Sequence, residues 1–198
     1  MTGIRVCLVS IILTIIYVLV TVSLSNLLFY NSSNGSLIKI NNKIIGSRIL
    51  GQEFKNNKYF HGRPSLYSYK NDISGNSNFP YYSKELKHHI LSNYSDFSKL
   101  NHNTTPDLNL ITESASGLDP DITYSAAICQ VNRIKDLSGI SKETIVKLIQ
   151  KKSRSRILGL FGEKTVNVLE LNLELNKPYA KATRSRWNFK TDCQAIHR

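Results

Sequence analysis

The feature that most constrains this chain is a run of 24 residues without a charged side chain near its N-terminus, from Val6 to Phe29. The run is rich in Ile, Leu and Val, and as a helix it extends about 36 Å. Because the hydrocarbon core of a bilayer is about 30 Å thick, the segment can span a membrane with some tilt. We therefore predict a leader at residues 1–5 and one transmembrane helix at residues 6–29.

A secretory signal peptide is the alternative interpretation of this run. Ser23 and Ser25 form a small-x-small site, and Arg5 supplies a minimal positive charge before the apolar residues. The apolar region of a signal peptide is usually about 7 to 15 residues long, however, and this run is longer. We expect a retained membrane anchor that contacts lipid.

The charges on the two sides of the anchor do not decide its orientation. Arg5 precedes the anchor, whereas Lys39, Lys43 and Arg48 follow it. Long domains are translocated largely regardless of charge, and a short leader often stays in the cytoplasm. We therefore expect a single-pass protein of the plasma membrane with its N-terminus inside and its C-terminal domain outside.

The rest of the chain predicts one mixed α/β (α+β) domain at residues 37–176, after a polar linker at residues 30–36. Aliphatic and β-branched residues around Gly46 predict one or two short strands before residue 51. Residues 67–82 are rich in Asn, Asp, Ser, Gly and Pro, and they predict an irregular loop. Residues 177–198 form a basic tail, with six basic residues and one acidic residue, to which we assign no structure.

The spacing of apolar residues predicts the helices of this domain. A helix is expected from Ser83 to about Leu100, and another from an N-cap at Thr123 to a stop at Gly139. Ser141 is expected to cap a third helix. Further predictions are a strand at residues 106–112, a turn at residues 117–121, and a strand that changes into a short helix at residues 166–175.

The net charge of +12 suggests nucleic acid as a partner, but the composition argues against it. The 19 asparagines, with abundant Lys and Ile, indicate a general compositional bias that spreads basic residues over the whole surface. We expect no nucleic-acid partner. The three cysteines have no zinc-site spacing, and the adjacent His88 and His89 point about 100° apart on a helix, so we expect no metal site.

Catalytic motifs are missing from the sequence. No serine has the flanking glycines of a nucleophile elbow, and no glycine-rich loop ends in Lys-Ser or Lys-Thr, so neither a serine hydrolase site nor a phosphate cradle is predicted. Glu113, Asp119 and Asp121 form an acidic cluster. Two interpretations of this cluster stay open, a local acidic patch in a basic protein or a set of turn and capping residues.

Five ordered blocks between residues 46 and 175 resemble the C subunit of the Kdp potassium-transporting ATPase. The blocks are Gly46-Ser47 with Gly51-Gln52-Glu53-Phe54; Tyr59-Phe60-His61-Gly62-Arg63-Pro64-Ser65; Ser74-Gly75-Asn76-Ser77-Asn78; Ser114-Ala115-Ser116-Gly117-Leu118-Asp119-Pro120 followed by Ala126-Ala127, Gln130-Val131 and Arg133; and Gly162-Glu163 with Val166-Asn167-Val168-Leu169 and Leu171-Asn172. The preceding single span completes the pattern. Residues 84–103 match the pattern poorly, and the tail from residue 177 has no counterpart in it.

The resemblance implies an accessory subunit that performs no chemistry itself. Its expected partners are a potassium-conducting subunit and a P-type catalytic subunit, and ATP with Mg²⁺ is used by the complex, with no cofactor bound directly by this chain. The family is described as a catalytic chaperone that raises the ATP affinity of the catalytic subunit. An outward domain cannot touch a cytoplasmic nucleotide, so we favour a role in stabilising the assembly and shaping the potassium entrance.

The resemblance also selects the residues on which to focus. The family-motif or partner-contact candidates are Gln52, Arg63, Ser114, Ser116, Gly117, Asp119, Gln130, Arg133, Asn167 and Asn172. The Arg63 guanidinium is expected either to bind a partner carboxylate or to form an internal ion pair. Gln130 and Arg133 are expected to form a polar contact patch or a solvated face. Asn167 and Asn172 are expected to satisfy buried backbone groups.

A protein of a different class fits the same outline. A membrane-anchored extracytoplasmic binding protein or hydrolase that acts alone would also combine one span with one α/β domain. Binding or turnover by the isolated chain would support this alternative, whereas co-purification with larger multi-span subunits would support the accessory role.

Overall fold

The first element of the protein is the expected long apolar helix. In this computed structural model, which describes residues 2–40, 42–156 and 159–183, helix α1 (Thr2–Leu28) contains a segment, Gly3–Leu28, long and apolar enough to cross a membrane. None of this segment is buried against the rest of the protein. A short helix, α2 (Tyr30–Ser33), follows it. The prediction of a single transmembrane helix followed by a mixed α/β domain is confirmed.

The domain begins with a hairpin and continues into a long irregular segment. Strands β1 (Leu37–Ile40) and β2 (Lys43–Ser47) pair in antiparallel register, with Ile40 opposite Lys43. Residues 48–82 then contain no helix and no strand beyond an isolated bridge at Phe54. Irregular segments of this length are uncommon in compact domains, so the groups that hold this one in place matter for function.

Within the described ranges, five further helices supply most of the regular structure. They are α3 (Lys84–Leu100), α4 (Tyr124–Cys129), α5 (Val131–Ser138), α6 (Lys142–Lys152) and α7 (Val168–Thr183). The predicted caps at Thr123 and Ser141 are confirmed, because their hydroxyls accept hydrogen bonds from the first turns of α4 and α6. The Ser83 hydroxyl caps α3 in the same way. Gly139 ends α5 with a φ of 70°, a conformation that favours glycine.

Two predictions of secondary structure are wrong. Residues 106–112 do not form a strand, because Asp107 accepts a hydrogen bond from Asn109 N–H and starts a 3₁₀ helix at Leu108–Leu110. The helix predicted from Thr123 to Gly139 is interrupted at Gln130. The Gln130 side chain donates to the Ala126 carbonyl, so its backbone N–H bonds to Ala127 instead and the helical ladder is broken.

A small sheet joins the helices into one core. Strands β3 (Asp121–Thr123), β4 (Ser153–Arg154) and β5 (Thr165–Asn167) are antiparallel and lie in the order β3-β5-β4. The predicted change from strand to helix after residue 166 is confirmed by β5 and α7, but the helix is 16 residues long rather than short. The core contains the buried residues Phe60, Ile122, Ala126, Ala127, Val131, Ile134, Ile145, Ile149, Val166, Leu171 and Leu175. In the predicted tail, residues 177–183 belong to α7, and residues 184–198 lie outside the described residues.

Candidate functional site

The side-chain amides of Asn172 and Gln130 each pair with a backbone N–H and a backbone carbonyl of the irregular segment, as the backbone of a neighbouring β-strand would. Phe60 N–H donates to Asn172 Oδ1 at 2.8 Å, and Asn172 Nδ2 donates back to Phe60 O at 2.9 Å. His61 N–H donates to Gln130 Oε1 at 2.8 Å, and Gln130 Nε2 donates to His61 O at 3.1 Å. The backbone of residues 60 and 61 is therefore fully paired without belonging to a sheet, as buried polar groups require.

Arg133 joins these contacts into a buried network, which we define as Asn101, Gln130, Arg133 and Asn172. Arg133 Nη2 donates to Gln130 Oε1 at 2.7 Å, and Nε donates to Asn101 Oδ1 at 2.8 Å. Nη1 donates to the carbonyls of Asn57 and Tyr59, the latter at 3.0 Å. Of the two interpretations of Gln130 and Arg133, the solvated face is wrong, because Arg133 is only 2% exposed and both side chains contact residues 57–61 of their own chain. Residues 57–61 cover that face of α5.

Burial in this network changes the titration of two groups. It lowers the pKa of Arg133 to about 10, so the guanidinium remains charged at neutral pH. The pKa of His61 falls to about 4, first because the ring is desolvated and second because the Arg133 charge lies nearby. His61 is therefore neutral at physiological pH, and its Nε2 lies 3.4 Å from Asn56 O.

A second set of contacts, the Arg63 junction, consists of Arg63, Tyr69, Glu113 and Asp119. Arg63 Nη1 lies 3.3 Å from Asp119 Oδ2, and Nη2 donates to Glu113 O at 2.9 Å. The Tyr69 hydroxyl donates to Arg63 O. Of the two interpretations of Arg63, the structure shows the internal ion pair. The junction is partly open to solvent, since the side chains of Arg63 and Asp119 are 23% and 34% exposed.

The motif around Ser114, Ser116 and Gly117 runs alongside the irregular segment and is bound to it mainly through the backbone. Gly75 N–H donates to Ser116 O at 2.9 Å, and Ser65 Oγ donates to Gly117 O at 2.7 Å. Ser114 N–H donates to Pro64 O at 3.2 Å, and Ser114 is 2% exposed. Gly117 has a φ of 68°, and a Cβ there would lie 2.8 Å from Gly75 O. This motif therefore serves close backbone packing.

Asn167 and Gln52 hold the start of the irregular segment. Asn167 Oδ1 accepts from Glu170 N–H at 3.1 Å and so caps α7, while Asn167 Nδ2 donates to Arg48 O at 2.8 Å. Gln52 is 6% exposed, and its amide fills the space that a Cβ on Gly46 would need. Asn172 satisfies buried backbone groups as expected, whereas the backbone groups that Asn167 bonds, at Arg48 and Glu170, are only partly buried.

The three carboxylates of the acidic cluster have partners within the chain. Glu113 accepts from Ser77 N–H at 3.0 Å, and its Oε1 lies 3.2 Å from His89 Nδ1. Burial alone would raise the pKa of Glu113, but the Ser77 and His89 hydrogen bonds outweigh it and lower the pKa. Asp121 pairs with Arg154 at 3.3 Å. Of the two open interpretations, these contacts favour turn and loop stabilisation.

The arrangement of the motif residues leaves little room for a ligand among them. The space between Gly51, Gly62, Tyr69 and Asp119 is too small to hold a water molecule, with an accessible volume of about 0 Å³. Among the described residues, no three His, Cys, Asp or Glu side chains are grouped closely enough to hold a metal ion. What the arrangement does chemically is to fix the backbone of residues 48–77 to α5, α7 and the segment 112–120.

Sequence reasoning missed two residues that complete these contacts. Asn101 is 1% exposed and binds Arg133, but it lies at the end of α3, a region without a recognised motif. Tyr69 packs against Gly51 and Gly62, where a Cβ would lie 2.8 Å and 2.5 Å from Tyr69 atoms. Nothing in the local pattern distinguishes Tyr69 from the neighbouring tyrosines. The glycines Gly51 and Gly62 were the available signal that a large side chain lies against this backbone.

Comparison with known proteins gives a consistent result over most of the chain. The family model for KdpC, described as "K+-transporting ATPase, c chain", matches residues 1–177. Proteins named "Potassium-transporting ATPase KdpC subunit" from Bacillus cereus (strain Q1), Bacillus thuringiensis subsp. konkukian (strain 97-27) and Bacillus anthracis are each 40% identical over 167 residues. Each alignment covers 82% of this chain and 86% of the relative. This chain therefore belongs to the KdpC family of potassium-transporting ATPase subunits.

Proposed function

We propose that this chain is the accessory, non-catalytic subunit of a Kdp-type complex for ATP-driven, high-affinity potassium uptake, and that its role is to stabilise the assembly. The observation that carries this proposal is that the motif side chains bind their own chain. Gln130, Arg133 and Asn172 are at most 2% exposed and hold the irregular segment 57–61 in one conformation. A rigid, irregular surface of this kind suits a protein that contacts partners rather than one that performs chemistry.

The proposed partners are the potassium-conducting subunit and the P-type catalytic subunit. The membrane helix would place the domain beside them, outside the cytoplasm and near the potassium entrance. Protease added to intact spheroplasts should then digest the domain. Complete protection of the domain would contradict this orientation.

ATP and Mg²⁺ enter this proposal only through the catalytic subunit. The chaperone role attributed to the family requires that the chain affect the nucleotide affinity of that subunit, and an outward domain could do so only indirectly. The purified chain should release no phosphate from Mg-ATP. Phosphate release that persists after removal of contaminating subunits would refute the non-catalytic role.

The experiment that best tests the accessory role is co-purification in mild detergent. A tagged chain should bring down both larger subunits in fixed proportion. A variant in which residues 6–29 are replaced by an unrelated apolar helix shows whether the domain contributes to binding independently of the anchor. Recovery of the chain alone, with ligand binding or turnover by the isolated protein, would instead support a stand-alone binding protein or hydrolase.

A further inference from the structure

The hairpin of β1 and β2 exposes apolar side chains that none of the contacts described above use. Leu37, Ile40, Ile44 and Ile49 are all exposed, and they lie in this hairpin or within two residues of its end. Exposed apolar residues that occur singly need no explanation, but a group of them marks an interaction site. The hairpin is therefore a candidate contact surface.

Cationic side chains accompany the apolar ones near the end of the hairpin, and acidic side chains do not. Lys39 lies opposite Ile44, and Lys43 lies opposite Ile40, so each face of the hairpin has one lysine beside one isoleucine. All four side chains are exposed, and neither lysine forms an ion pair with a described residue. The rest of the basic surface is different, because all 14 acidic residues of the chain lie at Glu53 or beyond it.

The hairpin is attached directly to the end of the membrane helix. A helical segment of 26 residues is about 39 Å long, which exceeds the roughly 30 Å of hydrocarbon, so its ends reach the head-group layers. Eight residues separate α1 from β1. They are held to the hairpin, because Ser47 Oγ donates to Gly35 O at 2.7 Å and Arg48 N–H donates to Ser36 O at 3.1 Å. Lipid head groups are therefore within reach of the hairpin.

We propose that Lys39, Ile40, Lys43 and Ile44, which we name the hairpin tip, bind the membrane surface through anionic phospholipids. The lysine ammonium groups contact lipid phosphates, and the isoleucines enter the boundary between head groups and acyl chains. A lysine can keep its charged end among the head groups while its aliphatic part lies along an apolar neighbour. The hairpin tip thus provides a second membrane contact besides the anchor.

The distribution of these side chains over both faces favours lipid over a protein partner. A flat protein surface would cover only one face of a two-stranded hairpin, whereas lipid head groups can surround both. The absence of acidic residues before Glu53 fits an anionic surface for the same reason, since no carboxylate in this part of the sequence would repel the phosphates. The proposal is independent of the accessory role, because it concerns one chain and lipid.

A nitrobenzoxadiazole fluorophore on Ile40→Cys can measure this contact, in the full chain with its three cysteines replaced by alanine. In nanodiscs that contain phosphatidylglycerol, we expect blue-shifted emission and several-fold stronger quenching by spin-labelled lipid than at Ile73→Cys. Ile73 is the matched control because it is 39% exposed, as Ile40 is, but lies in the irregular segment.

The lysines test the preference for anionic lipid. Lys39→Gln combined with Lys43→Gln should reduce the quenching at residue 40 to the level measured in phosphatidylcholine nanodiscs, because each lysine near an anionic surface contributes about fivefold to partitioning. High salt should weaken the quenching in the same direction by screening. The control Lys84→Gln combined with Lys87→Gln, at exposed positions of α3, should leave it unchanged.

Hydrogen exchange of the unchanged chain supplies a second measurement that needs no substitution. The backbone amides of β1 and β2 should exchange more slowly in phosphatidylglycerol nanodiscs than in phosphatidylcholine nanodiscs. Equal exchange and equal quenching in the two lipids would overturn the proposal, and so would a fluorophore at residue 40 that no lipid quenches. Protection of the hairpin that appears only after assembly with the larger subunits would also overturn it and would identify a protein partner instead.

Discussion

The buried network and the Arg63 junction attach the same irregular segment to the domain, and both use an arginine. Arg133 is 2% exposed, and its acceptors in the described part of the chain are amide and carbonyl oxygens. Arg63 has a carboxylate partner, Asp119, but its side chain is 23% exposed. The comparison shows that the arginine without a carboxylate partner is the one whose loss should destabilise the fold more. A buried cation that loses its acceptors cannot turn to water, whereas an exposed one can.

Substitution of Arg133 tests this comparison most severely. Arg133→Met removes four hydrogen bonds, one of them to Asn57 O, and leaves the Asn101, Gln130 and Tyr59 acceptors buried without that donor. We expect a loss of about 3–5 kcal/mol in the free energy of unfolding, measured by denaturant titration of the full chain in mild detergent. The control Lys135→Met, on the exposed side of α5, should change stability by no more than about 0.5 kcal/mol. Equal losses of stability in Arg133→Met and Lys135→Met would mean that Arg133 is not the centre of the network.

Asn172 tests the strand-like pairing separately from the charge. Asn172→Leu keeps a similar volume but leaves both the N–H and the carbonyl of Phe60 unpaired. We expect about 2 kcal/mol of destabilisation, since two buried backbone groups lose their partner. The matched control Asn132→Leu, at an exposed position of α5, should be nearly neutral. A neutral Asn172→Leu would show that water or relaxation replaces the lost hydrogen bonds.

The pH dependence of stability tests the burial of His61. Its pKa is about 4 in the folded protein and about 6.5 when unfolded, so between these values the unfolded chain binds more protons. Stability should therefore fall as the pH decreases from about 6.5 to 4, by about 1–2 kcal/mol because part of the ring remains accessible to solvent. His61→Gln should remove this part of the pH dependence. If the unchanged chain and His61→Gln showed the same pH dependence of stability, His61 would have to be hydrated in the folded state.

Arg63→Lys tests the junction, where we expect a smaller effect. Lysine keeps the charge near Asp119 but loses the planar fork that also reaches Glu113 O. We expect a loss of about 1 kcal/mol in the free energy of unfolding, because both partners are partly solvated. A loss as large as that of Arg133→Met would invalidate burial as the explanation of the difference between the two regions.

The parts of the fold that the sequence predicts are those governed by local interactions. The membrane helix follows from the length of its apolar run, and the caps at Thr123 and Ser141 follow from a hydroxyl before an amphipathic segment. The break at Gln130 is invisible locally, because it depends on a side chain that must reach both Ala126 and the distant His61. Spacing on a helix predicts which residues share a face but cannot show what covers that face.

The same limit applies to the candidate site. The resemblance to a known family placed Gln130, Arg133 and Asn172 among the candidates, yet their burial depends on residues 57–61, which have no periodic pattern. Asn101 was missed because its partner Arg133 is 32 positions away. Long-range polar contacts of this kind require the folded coordinates, whereas the glycines that permit them can be recognised in the sequence.

Glu113 gives the smallest expected effect and connects the comparison to transport. Glu113→Gln removes the charge that holds His89 and weakens the acceptor of Ser77 N–H, while keeping the shape of the side chain. Because the folded state lowers the pKa of Glu113, the stability that its carboxylate contributes is present above pH about 4.5 and is lost as the pH falls, so the variant should differ most from the unchanged chain in stability at neutral pH.

If the Glu113 carboxylate only stabilises the loop, the melting temperature falls by a few degrees and the apparent Michaelis constant of the assembled complex for potassium is unchanged. If it belongs to an acidic patch at the potassium entrance, that constant rises instead, and rises more at low ionic strength because screening is weaker there. The short contacts to Ser77 and His89 favour the first result.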